Sequence, residues 1–173
     1  MRPYRLAGAL ALGLSLVAGA SGVSAAHSNK TPTWITTKGK TVNLTVTAAY
    51  NNADSGFSFN GYSKGKLTIT VPQGDKVNVT FSNDGAIPHS MEIVAFTKTP
   101  ATISSPKAAL KGAVSPNAMN GVAKGTTQKF SFTANKAGKY LLICAVPGHA
   151  AAGMWDNFVV ATTAKVGSIS MKS

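Results

Sequence analysis

The sequence has few of the residues on which several protein classes depend. Its 173 residues include one cysteine, three histidines and five acidic residues, against 17 lysines and arginines. A single cysteine cannot form an internal disulfide, so an oxidising compartment would not stabilise the fold through one. The formal charge of +12 comes without a basic helix and without interleaved basic and aromatic residues. We therefore do not expect nucleic-acid binding.

The scarcity of acidic residues has a consequence for pH dependence. Acid unfolds many proteins by protonating carboxylates whose ion pairs stabilise the native state. This chain has few to protonate, so we expect its fold to depend little on pH between neutral and strongly acid solution. The complete set is Asp54, Asp75, Asp84, Glu92 and Asp156.

Sustained helical periodicity and internal repeats are also absent from the sequence. Short runs instead alternate apolar and polar residues, as in 42–47, 66–71, 76–81 and 127–133. Turn residues separate them at short intervals, except across a long connection at 96–125. Such alternation indicates strands with one buried face. The pattern predicts an all-β protein, a Greek-key β-sandwich of about seven or eight strands.

The chain divides into four predicted segments. Residues 1–26 carry Arg2 and Arg5, then an apolar stretch and small residues, which is typical of a signal peptide or, if uncleaved, an N-terminal membrane anchor. Residues 27–41 are predicted as a linker, 42–161 as the sandwich domain and 162–173 as a polar tail. The domain is accordingly expected outside the cytoplasm, in a periplasmic or equivalent space, free or held at the outer face of the membrane.

Four residues have the side chains of a blue-copper site. Cys144, His149 and Met154 follow one another with four residues between each pair, and His89 lies upstream. Two imidazoles and one thiolate in a plane, with a weak thioether along the axis, form the ligand set of blue copper. Pro147 and the glycine after it predict a turn that folds His149 and Met154 back over Cys144.

Other uses of these residues are less consistent with the set. Zinc would require further cysteine, histidine or carboxylate ligands and does not use a thioether. Catalytic cysteine–histidine chemistry would leave Met154 without a role. The third histidine, His27, is interpreted as a solvated residue beside the cleavage site.

These motifs resemble those of the cupredoxin family, and within it the sulfocyanin and rusticyanin group of acid-living iron and sulfur oxidisers. The resemblance covers about residues 43–160 and includes Pro88-His89-Ser90 and the Cys-x4-His-x4-Met loop. It implies a cupredoxin-like β-sandwich with one type 1 copper that alternates between Cu(I) and Cu(II). Sulfocyanin is the closer match and rusticyanin the second.

Residues around the ligands are also assigned roles. Ser90, Pro88 and Trp155 are predicted to surround the metal site, and the Ser90 hydroxyl or N–H is expected to bond near Cys144 or to orient His89. A surface at Gly148, Ala150 and Ala151 is predicted to receive a redox partner, with the electron leaving through His149. An apolar surround is expected to lower the pKa of His149.

The predicted function is one-electron transport at high potential, not enzymatic catalysis. The expected partners are an upstream redox protein such as a cytochrome and a downstream terminal oxidase. A rusticyanin-like role in iron oxidation is one alternative. A copper storage or delivery protein is another, although such proteins use several exchangeable sites. Copper enzymes need additional ligands, which His27 alone does not supply.

Overall fold

The computed structural model describes Met1 and residues 33–104 and 106–172. Nine strands are present in this described part: β1 (Ile35–Lys38), β2 (Thr41–Ala48), β3 (Leu67–Pro72), β4 (Lys76–Asn83), β5 (Glu92–Ala95), β6 (Thr127–Thr133), β7 (Gly138–Ile143), β8 (Trp155–Ala161) and β9 (Ser168–Met171). Short 3₁₀ segments occupy Tyr50–Gly56 and Pro100–Thr102. The predicted signal peptide or anchor, apart from Met1, and His27 lie outside the described residues.

The strands form two sheets that pack as a sandwich. One sheet has the order β1-β2-β4-β6 and the other has the order β5-β7-β8-β3-β9. Pairs β2/β4 and β3/β8 are parallel, while the remaining pairs are antiparallel. The predicted all-β sandwich is confirmed. No helix in the described ranges is long and apolar enough to cross a membrane.

Alternation along the strands produces the core between the sheets. In β2, β3 and β4 every second side chain is fully or almost fully buried, and all of these are apolar except Asn83 at the end of β4. The largest buried side chains are aromatic: Phe59, Phe81 and Phe158. Each large apolar side chain withdrawn from water contributes about 1.5–3 kcal/mol to folding. This hydrophobic contribution holds the sheets face to face.

Both sheets extend beyond the segment predicted for the sandwich domain. Strand β1 lies in the predicted linker and pairs with β2, and β9 lies in the predicted polar tail and pairs with β3. Both strands have four residues, which is too few for a periodic pattern to identify them from the sequence. Their pairing partners supply the hydrogen bonds that select the extended conformation, which local periodicity does not reveal.

Three adjacent strands meet at one end of the five-stranded sheet. Glu92 begins β5, Ile143 ends β7 and Trp155 begins β8, and these three residues are register partners. Antiparallel pairing therefore brings the approach to β5, the exit from β7 and the approach to β8 to the same edge. His89, Cys144 and Met154 occupy those three connections.

Candidate metal centre

Three ligand atoms converge at this end of the sandwich. The Sγ of Cys144 lies 3.4 Å from Nδ1 of His149 and 3.9 Å from Nδ1 of His89, and the two Nδ1 atoms are 3.2 Å apart. All three side chains are buried. The structure thus brings together residues separated by as many as 60 positions in the chain.

The three atoms have the spacing of a metal site. A triangle with these sides has its centre about 2 Å from each corner, which is close to the metal–nitrogen and metal–sulfur distances found in proteins. Direct hydrogen bonding would not account for two imidazole nitrogens and a sulfur all facing one point. A metal ion at that point is the arrangement that the donor atoms fit.

The fourth predicted ligand belongs to the same loop. Met154 is fully buried and immediately precedes β8. The backbone N–H of Cys144 donates to the Met154 carbonyl at 3.2 Å, and the Met154 N–H donates to the His149 carbonyl at 3.0 Å. These bonds place the thioether residue beside both loop ligands. His89, Cys144, His149 and Met154 form a type 1 copper site, as predicted.

Tight turns shape the loop between Cys144 and Met154. The N–H of His149 donates to the Val146 carbonyl at 3.1 Å, which closes the turn through Pro147 and Gly148. Gly148 has a φ of 84°, a conformation that is unfavourable for residues with a Cβ atom. The predicted proline–glycine turn is present, and it returns the histidine to the thiolate.

Ser90 contacts the sulfur directly. Its backbone N–H donates to Sγ of Cys144 at 3.3 Å, and its Oγ lies 3.6 Å from the same sulfur. The hydroxyl also accepts the N–H of Ala145 at 3.0 Å. These bonds join the segment that carries His89 to the cysteine loop, and the two contacts to Sγ draw electron density from the thiolate. The geometry agrees with the role expected for Ser90.

Asn83 clamps the connection that carries His89. Its side-chain Nδ2 donates to the carbonyls of Ile87 and Val122 at 2.8 and 2.7 Å, and its Oδ1 accepts the N–H of Gly85 at 2.8 Å. Val122 in turn exchanges two backbone hydrogen bonds with His89. Asn83 therefore holds in place the backbone segments that position His89.

This clamp is not evident from the sequence, since Asn83 and Val122 are 39 positions apart and no spacing rule links them. The Asn83-Asp84-Gly85 turn was the local sign that the segment has a defined shape.

Close packing positions the two imidazole rings. A Cβ on Gly85 would lie 3.0 Å from Nε2 of His89 and 2.7 Å from the Cβ of Ala49. The ring of Phe57 stands edge-on to His149, with ring centres 5.1 Å apart. The ligand geometry is therefore held by surrounding atoms as well as by hydrogen bonds.

Burial changes the acid–base behaviour of the two histidine ligands in the direction that metal binding in acid requires. Burial, and secondly the nearby His149, lower the pKa of His89 to about 4. Burial also lowers the pKa of His149, as predicted. Burial raises the pKa of the Cys144 thiol, an effect that the hydrogen bond from the Ser90 N–H opposes. The imidazoles thus favour the neutral form that binds a metal.

Two other predicted site residues, Pro88 and Trp155, lie outside the buried ligand cluster. Pro88 is exposed beside His89. Trp155 packs with Val94, Leu141 and Ile143 on the outer face of the sheet, opposite the face that carries Cys144, because side chains alternate between Met154 and Trp155. Contrary to prediction, its ring does not surround the metal.

The predicted docking surface is partly exposed. Gly148 and Ala151 are open to solvent, whereas Ala150 is buried at 3% exposure. Ala150 is therefore a packing residue and contributes little to any docking surface. The turn that returns His149 to the sulfur directs this side chain inward.

A β-sandwich with two imidazoles, a thiolate and a thioether gathered at one end is a blue-copper cupredoxin, a class whose members carry single electrons on one copper. The chain matches the Sulfocyanin (SoxE) domain over residues 28–168 and belongs to that family. The resemblance inferred from the copper loop is confirmed.

Individual relatives agree with the family. The chain is 36% identical over 124 residues to sulfocyanin from Sulfolobus acidocaldarius, covering 67% of this chain and 61% of that protein. It is 33% identical over 132 residues to rusticyanin from Acidithiobacillus ferrooxidans, covering 73% of this chain and 80% of that protein. The structure of auracyanin B is similar with a TM-score of 0.50 and 18% identity, covering 76% and 96% of the two chains, which concerns the fold alone.

Proposed function

We propose that the protein is a high-potential one-electron carrier that delivers electrons to a terminal oxidase outside the cytoplasm. The observation that carries the proposal is the convergence of Cys144, His89 and His149 within 3.9 Å in a buried, hydrogen-bonded setting. Copper bound there supplies the one-electron couple between Cu(I) and Cu(II). The contribution of the chain is to hold the donor atoms in place.

A fixed ligand set limits rearrangement when the charge of the site changes. The ligand strands are joined through Ser90, Asn83 and the Cys144–Met154 hydrogen bond, so their donor atoms do not need to move. Burial and the N–H donated to Sγ disfavour the higher positive charge of the oxidised site. Both effects, with the soft Met154 thioether, support a high reduction potential.

Electron exit through His149 is supported by exposure. His149 is 8% exposed, whereas His89 is fully buried. Gly148 and Ala151 are the open small residues next to it. Ala151→Glu should slow electron exchange with the partner and leave the blue absorption unchanged. Unchanged exchange in this variant would place the exit elsewhere.

The proposal includes function of the protein in acid solution. In the described ranges one ion pair is present, Lys64 with Asp54 at 4.0 Å, and both side chains are largely exposed. Such an exposed ion pair contributes little to stability, so protonating its carboxylate in acid should destabilise the fold only slightly. Blue absorption and the unfolding temperature should persist to about pH 3. Loss of the band near neutral pH would reject acid stability.

Copper titration followed by electrochemistry tests the carrier role. Purified protein should take up one equivalent of copper, develop a strong blue band and show a reversible one-electron couple. A storage or delivery protein would instead give up its copper readily to a chelator and would not cycle reversibly. Turnover of a substrate by the isolated protein would contradict the expectation that it is not an enzyme.

Two experiments separate the proposed pathway from its alternative. Reduced protein mixed with membranes of the source organism should be reoxidised with oxygen consumption that cyanide inhibits, as expected for a terminal oxidase. A rusticyanin-like role in iron oxidation predicts rapid reduction by Fe(II) in acid. The proposal also includes an upstream electron donor such as a cytochrome.

The proposal further includes export of the protein, with or without attachment to the membrane by its N-terminus. Peptide sequencing of the mature N-terminus tests whether residues 1–26 are removed.

A further inference from the structure

Four lysines surround a groove on the outer face of the five-stranded sheet. Two adjoining hollows of about 340 and 320 Å³ share Phe96 and Lys172 in their linings. Lys139 lines the first, and Lys64, Lys98 and Trp155 line the second. We call this feature the lysine groove. It lies on the opposite side of the sheet from the copper ligands.

The charge of the groove is almost unopposed. No acidic residue lines either hollow within the described part of the chain. Of the four lysines, Lys64 is paired, through its 4.0 Å contact with Asp54. Clustered cations at a concave surface attract negatively charged groups and raise their local concentration. The groove is therefore complementary to an acidic partner.

The groove also offers an apolar contact. Phe96 is 48% exposed and takes part in both hollows, and the partly buried Trp155 ring lies in the second. An exposed aromatic ring among charged residues is typical of recognition surfaces, where it supplies buried area while the charges set orientation. An occupant should therefore combine acidic groups with an apolar side chain between them.

The floor of the groove is the reverse side of the copper-bearing strands. Leu141 and Trp155 line it, while the neighbouring Leu142 and Met154 face the core. The Cys144 N–H is bonded to the Met154 carbonyl, one residue before Trp155. A partner seated in the groove would contact the outer face of the strands whose ends carry Cys144 and Met154. The groove could therefore receive a second redox partner, separate from one at His149.

We infer that the lysine groove binds an acidic segment of a partner protein, with carboxylates against the lysines and one apolar side chain against Phe96. The inference rests on the proposed carrier function only in giving that partner a redox role. The binding itself needs no electron transfer. Absence of a reversible copper couple would reject the carrier function without affecting the proposed binding at the lysine groove. Absence of peptide binding would reject the groove proposal without affecting the carrier function.

The test uses the copper(I) holoprotein and a capped peptide with two acidic residues on each side of one leucine. Binding is measured by calorimetry and by tryptophan fluorescence at low ionic strength. The double variant Lys98→Glu/Lys172→Glu should bind about tenfold more weakly. The control Lys76→Glu/Lys129→Glu makes the same charge change on β4 and β6 of the other sheet and should bind nearly as wild type. Both variants should keep the blue band after oxidation.

Further variants define the apolar contact. Phe96→Ser should weaken binding of the leucine peptide more than that of the same peptide with serine in place of leucine. Trp155→Phe should remove most of the fluorescence response, because the other tryptophan, Trp34, packs against Tyr50 and Tyr62.

Three results would overturn the inference. Equal loss of binding in both lysine pairs would show that only net charge matters. Equal peptide binding by all variants would show that the groove is not the site. Anionic phosphatidylglycerol vesicles that bind through Lys98 and Lys172, with no peptide binding, would assign the groove to a membrane surface.

Discussion

Strands β7 and β8 present different chemistry on their two faces. The inner face carries Leu142 and Phe158 into the core and leads to Cys144 and Met154 at the copper end. The outer face carries Leu141, Ile143 and Trp155 beneath the lysine groove. Neighbouring residues thus serve a sealed metal site on one side and an open charged surface on the other. The strict two-residue period of a strand separates these environments without any additional element.

The two faces also differ in the environment of their polar groups. Near the copper end, Asn83 and Ser90 are buried with their hydrogen-bonding groups engaged. Asp156, on the inner face, accepts the Leu67 N–H, and burial raises the pKa of its carboxyl group to about 7. On the outer face the lysines remain in water. Substitutions at the inner face should therefore have larger effects than substitutions at the outer face.

Removing the thiolate should have the largest effect. Cys144→Ser replaces the sulfur ligand, so we expect complete loss of the blue band after copper titration. Ile143→Val, one residue earlier on the outer face, should keep both the band and one equivalent of copper. A blue Cys144→Ser protein would show that Sγ is not the ligand.

Loss of the Asn83 clamp should have the next largest effect. Asn83→Ala removes the three hydrogen bonds that this side chain makes to two carbonyls and one N–H, which we expect to cost about 2–4 kcal/mol in the free energy of unfolding and to weaken copper retention. Asn157→Ala, which removes one bond to the Gly65 carbonyl on the outer face, should cost about 1 kcal/mol. Denaturant unfolding measures both, and equal losses would contradict the comparison.

A smaller change is expected at Ser90. Ser90→Ala removes the hydroxyl beside Sγ but retains the backbone N–H bond, so more electron density returns to the thiolate and the oxidised site is favoured. The reduction potential should fall by about 20–60 mV, the equivalent of one hydrogen bond. Ser90→Thr should restore most of it. Voltammetry showing a rise in Ser90→Ala would reverse the assigned role.

The buried carboxyl of Glu92 predicts a modest pH effect. Burial raises its pKa above the ordinary value of 4.5, so the folded state holds the proton more tightly than the unfolded state. Its contribution to stability is complete below pH 4.5 and is lost as the pH rises through the folded-state pKa. Glu92→Gln should therefore show a smaller fall in unfolding temperature between pH 4 and pH 7 than wild type. An identical fall in both proteins would exclude Glu92 as its source.

The smallest effect is expected for Trp155 at the metal. Because its ring lies on the outer face, Trp155→Phe should leave the blue band and the reduction potential unchanged within error. A clear shift in the band or the potential would support the predicted role of Trp155 beside the metal. Together with Ser90→Ala, this variant measures how completely one sheet isolates the two faces.

Some parts of the fold were predictable because they depend on short-range patterns. The alternation in β2, β3, β4 and β6 records which face of each strand is buried, so these strands were found within one or two residues. Strands β1 and β9 have four residues each, too few for a periodic pattern to identify them, and they depend on pairing with neighbouring strands. Trp155 was misplaced because nearness to Met154 in sequence does not give nearness in space when side chains alternate.

The sequence by itself determined the ligand types, the turn that returns His149 to Cys144, and the all-β architecture. These follow from the chemistry of individual residues and from periods of a few positions. Only the tertiary structure decided that His89 meets the loop, that Asn83 locks it through Val122, and that Lys98 and Lys172 share one groove. Such contacts depend on which strands become neighbours, and that choice is made by the packing of the whole core.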